Sequence, residues 1–128
     1  MFSVSVRDDT AYLVAMATGR AELAHLCGLA DLAARIAVMK EHRRALVDLL
    51  EVQPFLTFTE HLQLGAHVAA AFGPLERVAT VVPASQRNGT SEKAAQKHGL
   101  RLRTFTVLQE ADAWLQERDT PLSKATRP

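Results

Sequence analysis

The chain has 128 residues, of which 48% are apolar and 23% charged, and its net charge is +1. That balance supports one compact domain with a substantial core and excludes global disorder. It also excludes a strongly basic nucleic-acid binder and an acidic solvating tail. Cys27 is the one cysteine, so no internal disulfide can form, which fits a reducing compartment. The opening "MFSVSVRDDT" has neither a basic n-region nor a long apolar h-region, so it does not read as a signal peptide. No apolar run approaches the roughly 20 residues of a membrane span. The expectation is a cytoplasmic domain that is not an integral membrane protein, with peripheral membrane contact left open.

In chain order, Phe2, Val4 and Val6 alternate with Ser3, Ser5 and Arg7, the period of a half-buried strand. Asp8, Asp9 and Thr10 supply turn chemistry, and "AYLVAMA" (residues 11–17) follows as a second strand, so the two form an antiparallel hairpin. Thr18 and Gly19 end it. Residues 21–39 repeat at helical spacing, with Leu26, Leu29, Ala33, Ile36 and Ala37 on one stripe. Gly28 weakens this helix by roughly 1 kcal/mol relative to alanine unless something packs on it. "ALVDLL" (residues 45–50) reads as a central strand covered on both faces, followed by a loop containing Pro54. A helix over residues 59–72 is stopped by Gly73 and Pro74. "VATVVP" (residues 78–83) is a further buried strand, and "ASQRNGTSE" is the longest polar loop. A short helix over residues 91–97 ends at His98 and Gly99. "LRLRTFTV" (residues 100–107) is a strand nearer an edge, "EADAWLQE" (residues 110–117) is a last helix, and residues 118–128 read as a frayed tail.

The order ββαβαβαβα predicts one α/β domain over residues 1–117, with a mixed, mostly parallel sheet, an N-terminal β-hairpin and flanking helices. With that order, "LVDL", "RVATVV" and "RTFTVLQEADAWL" resemble the SpoIIAA-like, STAS/SEC14-type small bacterial domains. The residues that carry the resemblance are Val47 and Asp48, residues 77–82, Arg103, Phe105, Glu110, Ala111, Trp114 and Leu115. It implies a mixed sheet flanked by helices and no agreed enzymatic activity. The better-studied STAS relatives are protein-binding regulators, such as anti-sigma-factor antagonists, or domains that bind nucleotides or lipids.

In the phosphoregulated STAS proteins, a serine in a "DSSG"-like turn at a helix start is phosphorylated, and the added charge breaks a partner contact. Here "FLTFTEH" stands at that place, and Thr57 and Thr59 are its only hydroxyls. Thr57 with Glu60 has the spacing of a capping box, which accounts for the threonine without regulation.

The remaining chemistry is sparse. The five histidines lack the spacing of a metal-binding pair, no phosphate-cradling glycine motif is present, and no G-x-S-x-G elbow occurs. No catalytic residue, metal or cofactor is therefore expected, and nucleic acid is not an expected partner. Asp48 reads as a carboxylate bonded to nearby backbone N–H groups, with a catalytic acid as the alternative. Arg87, Lys93, Lys97, Arg101 and Arg103 read as a solvated charged face.

The carboxyl ends of parallel strands are where open α/β sheets bind ligands. The expected binding residues are accordingly Phe55 and Phe58 as an apolar wall, facing Ser85, Gln86, Arg87, Asn88, Thr90 and Ser91 ahead of a helix start. Phe55 and Phe58 have a second reading, as core residues closing the top of the sheet. The expected function is a non-enzymatic regulatory or binding domain contacting a protein partner or a small amphipathic or anionic ligand. The alternative is a small enzyme using Asp48 with polar loop residues. A homodimer through a helix face or the hairpin is also expected.

Overall fold

In the computed structural model, residues 1–8, 11–86 and 89–117 are described. Alternation and short turns build strands β1 (Ser3–Asp8) and β2 (Leu13–Ala21), which pair antiparallel. Helix α1 (Leu23–Met39) leads into β3 (Arg44–Pro54), α2 (Phe58–Ala71), β4 (Arg77–Val81), a single 3-10 turn (Ala84–Gln86), α3 (Thr90–Lys97), β5 (Leu102–Phe105) and α4 (Leu108–Gln116). The sheet has the order β1-β2-β3-β4-β5, and every pair after the hairpin is parallel. The α/β architecture and the ββαβαβαβα order are those predicted.

Period-two alternation sends the strand residues to two different cores. Leu13, Ala15, Ala17, Ala45, Val47, Val78 and Leu102 face α1, α2 and α3. Tyr12, Val14, Leu46, Ala79, Val81 and Phe105 face α4, where Ala111, Trp114 and Leu115 meet them. Phe72, Leu13, Leu115, Val78 and Val81 are the largest fully buried side chains. Each contributes roughly 1.5–3 kcal/mol through burial.

Helix α4 is fixed by arginines from the amino-terminal ends of β3 and β4. Arg44 donates to the carbonyl oxygens of Leu115 (2.7 Å) and Glu117 (2.5 Å). Arg77, only 4% exposed, donates to the Trp114 carbonyl at 2.6 Å and lies 5.1 Å from the Trp114 ring centroid. Cations at a helix carboxyl end satisfy its orphan carbonyls and oppose its dipole.

Two boundaries depart from the sequence reading by four residues, and the others by less. β2 does not stop at Thr18 and Gly19 but runs to Ala21, and β3 does not give way to a loop before Pro54 but includes it. The two strands extend together, Gly19 pairing with Val52 and Ala21 with Pro54. Gly19 tolerates the strand because its φ is +104° and the Met1 carbonyl oxygen lies 2.1 Å from where a Cβ would stand. Only glycine accepts both conditions. Pro54 is tolerated because β4 pairs with β3 only as far as Asp48, so the proline nitrogen, on the side away from β2, faces an unpaired edge.

Gly65 and Gly28 should respond in opposite ways to an added methyl. At Gly65 in α2 a Cβ would lie 2.5 Å from the Ala94 Cβ and 2.6 Å from the Ser91 carbonyl oxygen, whereas at Gly28 in α1 it would meet nothing within 4 Å. Gly65→Ala is expected to lose roughly 1–3 kcal/mol of unfolding free energy by overpacking. Gly28→Ala is expected to gain about 0.5–1 kcal/mol of helix propensity. Urea titration of both variants checks the pair, and a shift of the same sign in both would contradict it.

Candidate functional site

The site begins with an irregularity in β3. Met16 pairs with Asp48, but Thr18 pairs with Glu51, so Leu49 and Leu50 together stand opposite Ala17. This is a β-bulge, and it resets which residues point inward. Uninterrupted alternation from Val47 and Leu49 would carry Glu51 and Gln53 into the apolar layer. With the bulge, Val52 and Pro54 turn inward, while Glu51 and Gln53 stay exposed. Asp48 closes the irregularity, its Oδ1 accepting the Leu50 N–H at 3.0 Å.

Above this strand, α2 rests chiefly on α1 and α3 and does not pack closely on the sheet. Gly65 permits the near contact with Ala94 that draws α2 towards α3. The gap between α2 and the sheet is a cavity of about 140 Å³. Leu26 and Leu29 of α1, Leu64 and Val68 of α2, and Val47 and Val52 of β3 give it an apolar wall. It lies at the carboxyl ends of β3 and β4, where Val82, Gln86, Gly89 and Ser91 border it.

The polar rim is already hydrogen-bonded. Ser91 Oγ donates to the His61 carbonyl oxygen at 3.1 Å and lies 3.0 Å from His61 Nδ1. Ser91 Oγ is thus within hydrogen-bond reach of both the backbone and the ring of His61, which ties the start of α3 to α2. Glu92 accepts the Thr104 N–H at 2.8 Å, and the Thr80 and Thr104 hydroxyls lie 3.0 Å apart.

Of the residues expected to bind, Gln86 and Ser91 border the cavity. Ser85 is exposed, and Thr90 is half-buried as the first residue of α3. Arg87 and Asn88 lie outside the described residues. Phe55 and Phe58 are neither cavity wall nor core: they are 53% and 68% exposed. Phe55 sits under Arg20, whose guanidinium is 4.3 Å from the ring centroid, and its N–H donates to Ala21 at 2.8 Å. They face outward because β2 and β3 continue past the helix layer, which lifts the β3–α2 connection away from the core.

Thr57 is the N-cap of α2. Its Oγ1 accepts the Glu60 N–H at 3.2 Å, and Glu60 Oε1 accepts the Thr57 N–H at 3.0 Å. Thr59 is exposed in the first turn. Asp48 is half-buried beside Met16 and Val81, on the α4 face of the sheet, and does not border the cavity. Cys27 is half-buried on α1, and its thiol pKa is raised by burial and by the Asp31 carboxylate. The thiol therefore stays protonated at neutral pH. Among the described residues, no three His, Cys, Asp or Glu side chains converge as metal ligands would, and no helix is long and apolar enough to cross a membrane.

No protein-family profile matches this chain. A comparison with curated proteins finds no match. Solved structures do match. A crystal structure of an anti-sigma factor antagonist from Mycobacterium paratuberculosis aligns with a TM-score of 0.63 at 17% identity, covering 91% of this chain and 96% of that one. An uncharacterised protein with a SpoIIAA-like fold from Shewanella loihica aligns with a TM-score of 0.56 at 17% identity, covering 89% of this chain and 93% of that one. The chain has the SpoIIAA-like, STAS-type fold. At this identity the likeness establishes architecture, and the cavity has to be read from its own residues. Sequence reasoning missed the cavity's principal wall: Leu26 and Leu29 read as the ordinary core stripe of α1, and Leu64 and Val68 lie beside the stripe of Leu62, Gly65, Ala66, Ala69 and Phe72 that the spacing of α2 suggests. The one available signal was "VDLLEVQP", where strict alternation would bury Glu51 and Gln53.

Substitutions at two positions test this construction. Asp48→Ala should lose about 1–2 kcal/mol by leaving the Leu50 N–H without its acceptor, while Asp48→Asn, which keeps an acceptor oxygen, should lose less. Wild-type stability in Asp48→Ala on denaturant titration would show that the bulge does not need the carboxylate. Thr57→Ala should lose about 1 kcal/mol, and Thr57→Asp should recover most of it, since a carboxylate both caps the helix and favours its amino end. A pair of thermal melts resolves that difference.

Proposed function

We propose that the protein is a non-enzymatic binding domain whose cavity takes the apolar part of a small amphipathic ligand. The observation that carries this reading is the apolar space of about 140 Å³ between α2 and the sheet, open beside a hydrogen-bonding rim. An apolar cavity of about 150 Å³ accommodates a six-membered aromatic ring, so the space suits a ring or a short acyl segment. The described lining includes Glu92 but no lysine or arginine, which favours a neutral polar end over an anionic one. His61 and Ser91 border the cavity and supply its polar rim. The position of Asp48 on the opposite sheet face argues against its use as a catalytic acid at this site.

A second reading rests on a separate observation. Phe55, Phe58 and Leu62 are exposed together around the start of α2, with Arg20 over Phe55. An apolar patch beside a cation fits an acidic–apolar segment of a protein partner. The structural similarity to an anti-sigma factor antagonist is compatible with such a regulatory contact.

The two readings separate experimentally. Methyl-resolved NMR with a panel of short-chain alcohols, fatty acids, nucleotides and acidic peptides should place the largest shifts at Val47, Leu64 and Val68 for a neutral amphiphile. Val68→Phe, which fills the space, should weaken that binding by about tenfold or more. Shifts confined to Phe55, Phe58 and Leu62, with Val68→Phe without effect, would replace the cavity reading with the protein-partner reading.

A further inference from the structure

The two edges of the sheet are finished differently. On β5, α3 lies against the outer edge and satisfies it with side chains: Glu92 accepts the Thr104 N–H at 2.8 Å, and Gln96 Nε2 donates to the Leu102 carbonyl at 2.7 Å. These two residues are four apart on one helix, so a single face of α3 covers the strand. The other edge is β1, of which five of the six residues are exposed and only Val6 is half-buried. Natural sheets blunt an open edge with lysine, proline, a bulge or an inward charge. β1 reads Ser-Val-Ser-Val-Arg-Asp and pairs with β2 in unbroken register from Ser3 to Asp8, so it has no lysine, proline or bulge, and its charges, Arg7 and Asp8, are confined to one end, where Asp8 shares the α1 face and meets His42.

The side chains of β1 are also self-complementary. Val4 and Val6 oppose Ala17 and Ala15 and therefore share the α1 face, while Ser3, Ser5 and Arg7 share the α4 face. In an antiparallel two-fold pair, directly opposed residues must lie on the same face. Centred on Ser5, such a pair sets Val4 against Val6 of the second copy twice over, Ser5 against Ser5, and Ser3 against Arg7, with Asp8 alone beyond the paired segment. No like charges are opposed, and Val4, 36% exposed in the single chain, becomes covered. Centred on Val6 it would set Val4 against Asp8, and centred on Val4 it would leave Arg7 and Asp8 overhanging.

We propose that the outer edge of β1 is a self-association surface, pairing antiparallel with β1 of a second copy about a two-fold axis at Ser5 to make one continuous ten-stranded sheet. A six-residue edge buries less than a standard permanent interface, so the dimer dissociates in the micromolar range. The surface lies at the sheet edge remote from β4 and β5, so the association leaves the cavity mouth open.

Light scattering and sedimentation velocity of the full chain across a micromolar concentration series test this. The wild type should rise from the mass of one chain to that of two. Val4→Lys, with its fold checked by circular dichroism, should remain at one. Cross-linking reads the register independently of that variant: in a Cys27→Ser background, Ser5→Cys should form an inter-chain disulfide under mild oxidant. Ser3→Cys should not, because its two copies would be offset by four residues, roughly 13 Å along the strands. A wild type that stays at one chain at high-micromolar concentration overturns the proposal. So does a Val4→Lys protein that dimerises as the wild type does, or a Ser3→Cys protein that cross-links as fast as Ser5→Cys.

Discussion

The bulge between Asp48 and Glu51 is the constraint on which most of the candidate site depends. A strand that must cross an apolar layer with the sequence Val-Asp-Leu-Leu-Glu-Val-Gln-Pro cannot keep a period of two, because Glu51 and Gln53 would then be buried without partners. The extra residue moves Val52 and Pro54 to the inner face and returns the polar side chains to solvent. It also lets β3 continue beside β2 as far as Ala21 and Pro54. That continuation carries the start of α2 beyond the helix layer, so Phe55 and Phe58 emerge at the surface. The carboxylate of Asp48 makes the irregularity affordable by giving the Leu50 N–H an acceptor.

Helix α3 has a comparable influence despite its eight residues. One face binds the β5 edge through Glu92 and Gln96, and another receives α2 at Gly65 and His61. Because α2 leans on α3 and α1, the space under it is not filled by its side chains. The opposite face of the sheet is packed differently. There α4 lies directly on Leu46, Ala79 and Val81 and is held by Arg44 and Arg77. One face thus carries the cavity and the other the α4 core, and Asp48 and Arg103, which sequence alone presents as candidates for chemistry or charge, belong to the second. Arg103 lies over the Phe105 and Trp114 rings at 5.3 and 5.7 Å.

Element types and order were readable because each segment carries its own period and its own stop signals. Val4 and Val6 alternate, Leu26, Leu29 and Ala33 recur at helical spacing, and Gly73 and Pro74 end α2. The capping box of Thr57 and Glu60 was readable for the same reason, since its geometry is local. The strand-end position of the site followed from the parallel order, and Gln86 and Ser91 do lie there. Leu26 and Leu29 could not be told from core residues, because a helix stripe is the same whether it packs on a sheet or leaves a gap.

By itself, then, the sequence determined the α/β class, the ββαβαβαβα order, the hairpin and the Thr57 cap, all of which rest on interactions within a few residues or on the alternation of burial. Tertiary structure alone decided the length of β3, the exposure of Phe55 and Phe58, the cavity beneath α2 and the unequal finish of the two sheet edges. The physical reason is common to all four. Each depends on pairings between distant residues: Ala21 with Pro54, Gly65 with Ala94, and Glu92 with Thr104. No local period records which distant partner a residue meets.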